Sequence, residues 1–167
     1  MKRGSWLLAA AAVLTLVAAC GKKEGDESGT ASDAAPFPTA ATLGEQVVLT
    51  AAEYLETEPY VSANRSKGER QAMLCKACHS LDKGGPNMIG PALYGFIGTN
   101  VGAREGFEYS AVMRNADFVW TPGALDAWLA QPGRFLPGNR MTFAGVPDRQ
   151  DRANLIAYLL EATTTDR

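Results

Sequence analysis

The spacing of apolar residues changes along the chain, and each regular stretch predicts an element. Near the C-terminus Ala153, Ile156, Ala157 and Leu160 recur at i, i+3, i+4 and i+7. Leu155, Tyr158 and Leu159 widen that face, so the stretch reads as an amphipathic helix. Asp148 or the residue before it starts this helix, and Asp151 in the first turn suits the positive end of its dipole. Thr121-Pro122 opens an earlier helix, with Pro122 at the first helical position, where its missing N–H costs nothing. A further helix runs through Gly68, Ala72 and Leu74, with Ser66 as its predicted cap.

The N-terminal side follows a different pattern. Met1-Lys2-Arg3 is basic, and residues 6–19 form an uncharged run ending in small residues. A membrane-spanning helix needs roughly twenty apolar residues. This run is shorter and predicts a signal peptide over residues 1–19. The sequence Val17-Ala18-Ala19-Cys20 resembles a bacterial lipoprotein signal. That resemblance implies a mature chain beginning at a lipidated Cys20; simple cleavage leaving a free thiol is the alternative. Gly21 stands where some bacteria use aspartate to mark inner-membrane retention, so the choice of membrane stays open, with the inner membrane favoured.

Residues 20–42 are rich in Gly, Ala, Ser, Thr, Asp, Glu and Pro, and predict a flexible linker. It would extend at most about 75 Å and average roughly 25 Å as a coil. Residues 43–65 form an N-terminal extension. Val47, Val48, Leu49, Tyr54 and Leu55 allow a short helix there, broken at Pro59. Residues 66–167 make the main domain.

Charge and rare residues narrow the function. Losing Lys2 and Arg3 leaves 14 basic against 18 acidic residues, a net charge near −4. That excludes the basic stripe a nucleic-acid binder needs. Three cysteines are too few for a disulfide scaffold, and the single histidine, His79, excludes a multi-histidine metal site within one chain.

Cys75-Lys76-Ala77-Cys78-His79 is the residue run for covalent attachment of a c-type haem. Two thiols at this spacing reach the vinyl groups on one porphyrin edge, and the next residue brings an imidazole under the iron. Three other readings compete. A zinc site wants four ligands, and only three lie here. A thioredoxin-like pair wants alternating strands and helices, which the pattern lacks. Two buried cysteines beside a core histidine is the plainest. An exported chain with this motif reads as a cytochrome.

With His79 below the ring, a second axial ligand must be a methionine. Met1 leaves with the signal, and Met73 shares a helix with Cys75 and cannot reach the far face. Met88 sits close after His79 in a Gly-Pro-rich turn, and Met113 follows Ser110 in a short helical stretch suited to the ring edge. Met141 lies in Leu136-Pro137-Gly138-Asn139-Arg140-Met141-Thr142-Phe143-Ala144-Gly145, a loop braced by proline and glycine that can turn one thioether inward. Met141 is therefore the predicted distal ligand.

From about Ser66 to Thr163 these residues resemble a class I cytochrome c, similar to the mitochondrial type and its bacterial relatives, and the separation of His79 and Met141 is also that of the mitochondrial type. The resemblance implies an all-α domain: three or four helices and long loops around one haem c. Gly90-Pro91-Ala92-Leu93-Tyr94-Gly95 resembles the turn whose proline carbonyl accepts a hydrogen bond from the proximal imidazole, giving that role to Pro91. Gly106-Phe107-Glu108-Tyr109-Ser110 and Trp120 match positions where the family bonds a haem propionate. Phe143 matches the aromatic that shields the exposed haem edge.

Departures from the family are also visible. Trp128 stands where a tyrosine usually lies behind the methionine. Thr99 replaces an arginine near a propionate, Met113 an asparagine and Asn139 a threonine. Ala72, Met73 and Leu74 take the place of the aromatic at the crossing of the first and last helices.

A haem with both axial positions filled favours outer-sphere electron transfer over catalysis. The resemblance implies a monomeric, lipid-anchored carrier on the periplasmic side of a bacterial membrane. Its redox partners would be a quinol-oxidising complex and a terminal haem–copper oxidase or another acceptor, with no role for nucleic acid. Only Lys67, Lys76 and Lys83 lie in the domain, with Arg104, Arg134 and Arg140 nearby, so encounter should depend weakly on salt; Arg140 is the predicted docking charge. Two alternatives stand: a haem peroxidase or gas sensor with a labile Met141, and a haem-free thiol–disulfide oxidoreductase.

Overall fold

A computed structural model describes residues 39–164, which lie within one compact unit. The predicted signal peptide, Cys20 and the linker up to residue 38 lie outside the described residues. After a 3-10 turn, Ala40–Thr42, come α1 (Ala51–Leu55), α2 (Arg65–Lys76), α3 (Ala111–Asn115), α4 (Pro122–Ala130), α5 (Pro132–Phe135) and α6 (Arg149–Ala162). Among the described residues the one extended pairing is an isolated antiparallel bridge between Asn100 and Val119. The domain is all-α, as the sequence implied. Three helices carry it: α2, α4 and α6, of 12, 9 and 14 residues. The other three are single turns within the connecting loops.

Helices α2 and α6 cross in contact, and the sequence explains the closeness. A Cβ on Gly68 would stand 2.0 Å from the carbonyl oxygen of Asn154 and 2.9 Å from Tyr158 Cβ, so only glycine fits there. Ala72 is fully buried on the same side of α2, whereas Met73 and Leu74 are 61% and 65% exposed. Of the three residues in the place of the aromatic, Ala72 alone is buried. Ser66 is not the cap of α2. Asn64 is: its side chain accepts from the Lys67 N–H at 2.9 Å, and its own N–H donates to Asn154 Oδ1 at 2.8 Å. The second bond ties the start of α2 to α6, which no local signal in Ser66 could provide.

Asp148 caps α6, accepting from Asp151 N at 2.8 Å, and Thr121 caps α4, accepting from Ala124 N at 3.2 Å. The guanidinium of Arg152 on α6 is buried. It meets Asp126 of α4 at 2.7 and 3.3 Å and donates to the carbonyls of Val146 and Pro147 at 2.9 and 2.8 Å. A buried charge needs such full pairing, and here it joins two helices to the loop that follows Met141.

The N-terminal extension packs on this body. Ala51 and Tyr60 are buried in the core, and Ala40 and Leu43 lie against it. The last residues of the predicted linker therefore form part of the fold. The Thr42 hydroxyl closes the 3-10 turn, accepting from Thr39 N–H at 2.8 Å and donating to Thr39 O at 3.1 Å. Helix α1 opens on a capping box, Thr50 with Glu53, and ends at Leu55, before Pro59.

Candidate functional site

The C-terminal end of α2 delivers Cys75, and the turn after it delivers Cys78 and His79. His79 N–H still donates to Cys75 O at 2.9 Å, so the pentapeptide is wound as one tight turn. Both thiols are free and half-buried. Burial pushes the Cys75 thiol up to about 11, so in the folded protein it rests protonated rather than as a reactive thiolate.

His79 Nδ1 lies 2.7 Å from the Pro91 carbonyl oxygen. A carbonyl can only accept, so Nδ1 carries the proton and Nε2 is left with its lone pair. Burial also lowers the imidazole's basicity, which keeps the ring neutral. The wedge behind the ring is Gly90: a Cβ there would stand 2.3 Å from His79 Cε1. Gly90 N–H donates to Cys78 O at 2.8 Å, fixing the wedge to the motif.

These residues open onto a cavity of about 1010 Å³, at the top of the range for ligand pockets. Cys75, Cys78, His79, Pro91, Trp128 and Met141 line it, and so do Tyr109, Trp120 and Phe143. Met88 and Met113 reach the same cavity. Trp120 packs edge-on against Phe118, Trp128 and Phe96, with ring centroids 5.0, 5.5 and 6.3 Å apart. Trp128 is buried and also meets Phe135 at 5.9 Å, so it is a rigid part of the wall.

Met141 is half-buried, and its loop is held by Asn139. Asn139 Oδ1 accepts from Met141 N at 2.9 Å, and Nδ2 donates to the carbonyls of Pro132 and Leu136 at 2.9 and 2.8 Å. One amide thus locks the loop from both sides, a role the sequence did not reveal. Arg104 was missed too. It lines the cavity rather than serving as a free docking charge, donates to the Tyr94 carbonyl, and sits against Tyr109. Burial raises the Tyr109 hydroxyl, while the Arg104 backbone and guanidinium pull it back. Thr99 is exposed and bonded to Phe96 O at 2.7 Å. Arg140 donates to the Glu108 carbonyl.

The cavity fits a porphyrin. Two thiols stand beside an imidazole with one free nitrogen. On the wall, Ser110 Oγ is buried with no hydrogen-bond partner, an orphan that a carboxylate-bearing ligand would satisfy. Among the described residues no three His, Cys, Asp or Glu side chains gather as a metal cluster, so the zinc reading finds no ligand set. Nor does the strand–helix alternation of a thioredoxin-like site exist there.

No protein-family model matches the chain. It is 46% identical over 99 residues to the cytochrome c homolog of Bradyrhizobium diazoefficiens, a match taking in 59% of this chain and 54% of that protein. The chain thus spans about half the length of that relative. It is 34% identical over 119 residues to cytochrome c2 of Rhodomicrobium vannielii, covering 71% of this chain and 90% of that protein. The solved structure of cytochrome cH from Methylobacterium extorquens superposes with a TM-score of 0.54 at 34% identity, over 58% of this chain and 97% of that one. Fold, pocket and relatives agree: the chain belongs to the class I cytochromes c and carries one covalent haem c.

Proposed function

We propose that this protein is a lipid-tethered electron carrier on the periplasmic side of a bacterial membrane, with His79 and Met141 as the axial ligands of its haem. The observation that carries this reading is the committed imidazole. With Nδ1 spent on Pro91 at 2.7 Å, only Nε2 can face iron, and Met141 is held on the same cavity by Asn139. The haem supplies a one-electron ferric–ferrous couple, low-spin when both axial positions are filled.

The rest of the work belongs to the chain. Cys75 and Cys78 would hold the group through thioether bonds. Pro91 orients His79 and raises its basicity as a ligand. Tyr109, Trp120, Ser110 and Arg104 offer donors to its carboxylates, and Phe143 and Trp128 exclude water from its face. At the rim, Leu74, Met88 and Ile89 are 65%, 47% and 79% exposed. Arg140 is engaged with the Glu108 carbonyl. Encounter with a partner therefore rests on apolar contact more than on charge, and its rate should change little with salt.

By resemblance the donor is a quinol-oxidising complex and the acceptor a terminal haem–copper oxidase. Once the signal peptide (1–19) is removed, the lipid on Cys20 and the linker that follows would keep the domain at high effective concentration beside them. Among the described residues no helix is long and apolar enough to cross a membrane.

The test is the visible spectrum, oxidised and reduced, of the full chain exported in a host that matures c-type cytochromes. Sharp reduced α and β bands and a weak far-red ferric band that Met141→His abolishes are expected. A high-spin spectrum, or cyanide binding at neutral pH without denaturant, would replace the carrier with a peroxidase or sensor. Membrane fractionation of Cys20→Ser tests the anchor, with release into the soluble fraction as the expected result.

A further inference from the structure

We propose that Gln46, in the N-terminal extension, is a positioning residue for Trp120 on the wall of the haem cavity. The inference rests on the reading that Trp120 donates to a haem carboxylate.

Residues 98–101 hold one edge of the segment that carries Trp120. Trp120 N–H donates to Thr99 O, Gly98 N–H to Trp120 O and Val101 N–H to Phe118 O, each at 2.9 Å. In extended backbone, successive residues turn their polar groups to opposite edges. Val119 N–H and C=O therefore face the other way; the carbonyl accepts from Thr121 N–H at 2.8 Å, and both groups meet the side chain of Gln46. Val119 N–H donates to Gln46 Oε1 at 2.7 Å, and Gln46 Nε2 donates to Val119 O at 2.8 Å and to Thr121 Oγ1 at 3.1 Å. The amide thus bonds Val119 as a neighbouring strand residue would, 73 positions away in sequence. It also shares the hydroxyl that caps α4.

The extension is fixed on both sides of this clasp. Leu43 packs on the core before it. After it, Tyr54 Oη donates to Val47 O at 2.9 Å and accepts from Leu49 N at 3.0 Å. Trp120 sits between Val119 and Thr121, the two residues Gln46 holds, and its indole has three aromatic neighbours but makes no side-chain hydrogen bond among the described residues. Its direction into the cavity is set by its backbone, and one edge of that backbone depends on Gln46.

The experiment uses the haem-loaded full chain with Gln46→Ala, Gln46→Glu, Trp120→Phe and the Gln46→Ala/Trp120→Phe pair. Amide exchange, midpoint potential against pH, and thermal stability are read for each. Gln46→Ala should speed exchange at Val119 by about tenfold, since an ordinary hydrogen bond is worth about that factor. It should also shift the potential in the direction Trp120→Phe does, with no further shift in the pair. Ionised Glu accepts from Val119 N–H but cannot donate to its carbonyl, so at neutral pH Gln46→Glu should keep Val119 N–H protected while shifting the potential toward that of Gln46→Ala. It should return toward wild type in acid, where the carboxyl regains its proton. A lowered melting temperature with unchanged potential would make the extension a mere brace and overturn the proposal. If Trp120→Phe leaves the potential unmoved, the reading of Trp120 fails, and the proposal with it.

Discussion

Gly90→Ala tests the proximal side of the site most directly. The added Cβ would lie 2.3 Å from His79 Cε1, 2.7 Å from Nδ1 and 2.8 Å from Nε2. Ordinary contact between such atoms is about 3.5 Å, so the ring must withdraw by about 1 Å. The backbone cannot give instead, because Gly90 N–H is bonded to Cys78 O and Met88 N–H to Gly90 O, both at 2.8 Å. A withdrawal of that size stretches the 2.7 Å bond from Nδ1 to Pro91 past the limit of a hydrogen bond. Orphaning the two buried groups costs about 1–3 kcal/mol, and overpacking costs a similar amount.

The expected result is a loss of about 3 kcal/mol, or roughly 10 °C in melting temperature, for the haem-loaded protein. With His79 as the proximal ligand, losing the Nδ1 acceptor also makes Nε2 a poorer donor to ferric iron, so the potential rises. A preference of 1.4 kcal/mol corresponds to about 60 mV for one electron. Thermal unfolding and redox titration of the full chain check both. Gly133→Ala is the control, since nothing lies within 4 Å of its Cβ. If Gly90→Ala matches that control in both readouts, the ring is not confined and the account of the proximal side is wrong.

Three further outcomes are expected. Gly68→Ala should destabilise by about 2 kcal/mol in denaturant titration, because a 2.0 Å approach to a backbone carbonyl outweighs the gain of about 1 kcal/mol in helix propensity. Asn139→Ala removes three hydrogen bonds around Met141; the far-red ferric band should weaken and cyanide binding should speed up, while Asn139→Asp, which keeps the acceptor alone, should fall between. Tyr60 is raised to about 12 by burial, aided by the Asp126 charge. Its folded value lies above its unfolded value near 10, so its contribution is complete below about pH 10 and is lost toward pH 12, on the order of 2 kcal/mol. Tyr60→Phe should flatten that alkaline limb of the stability–pH curve.

What the sequence disclosed follows from how local each signal is. The pentapeptide, the Pro122 start of α4 and the α6 stripe are set by neighbours within a turn or two, and each predicted element lies where the chain suggested. Ser66 misled because the true cap, Asn64, is selected partly by Asn154, 90 positions on. Met73 and Leu74 misled because helical phase alone does not say which of three adjacent residues faces the partner. Asn139 read as a substitution and Arg104 as a loose surface charge. Their partners are backbone groups, which every residue carries and no sequence pattern marks. Gln46 is the extreme case, an amide matched to a backbone edge far along the chain.

The extension also decides where a pull on the tether would be felt. Tension along the proposed leash enters the described chain at Thr39 and meets Leu43, the Gln46 clasp, Ala51 and Tyr60 before it can reach α2. The start of α2 is bonded independently. Asn64 N–H goes to Asn154, and Arg65 pairs with Glu161 at 2.7 Å and donates to Tyr60 O at 2.7 Å. The helix that presents Cys75 is therefore loaded last, after the packing of Ala40 and Leu43 and the Gln46 clasp beside Trp120. On the proposed leash, a pull would thus reach the extension before the helix that carries Cys75, leaving the proposed proximal ligand His79 undisturbed.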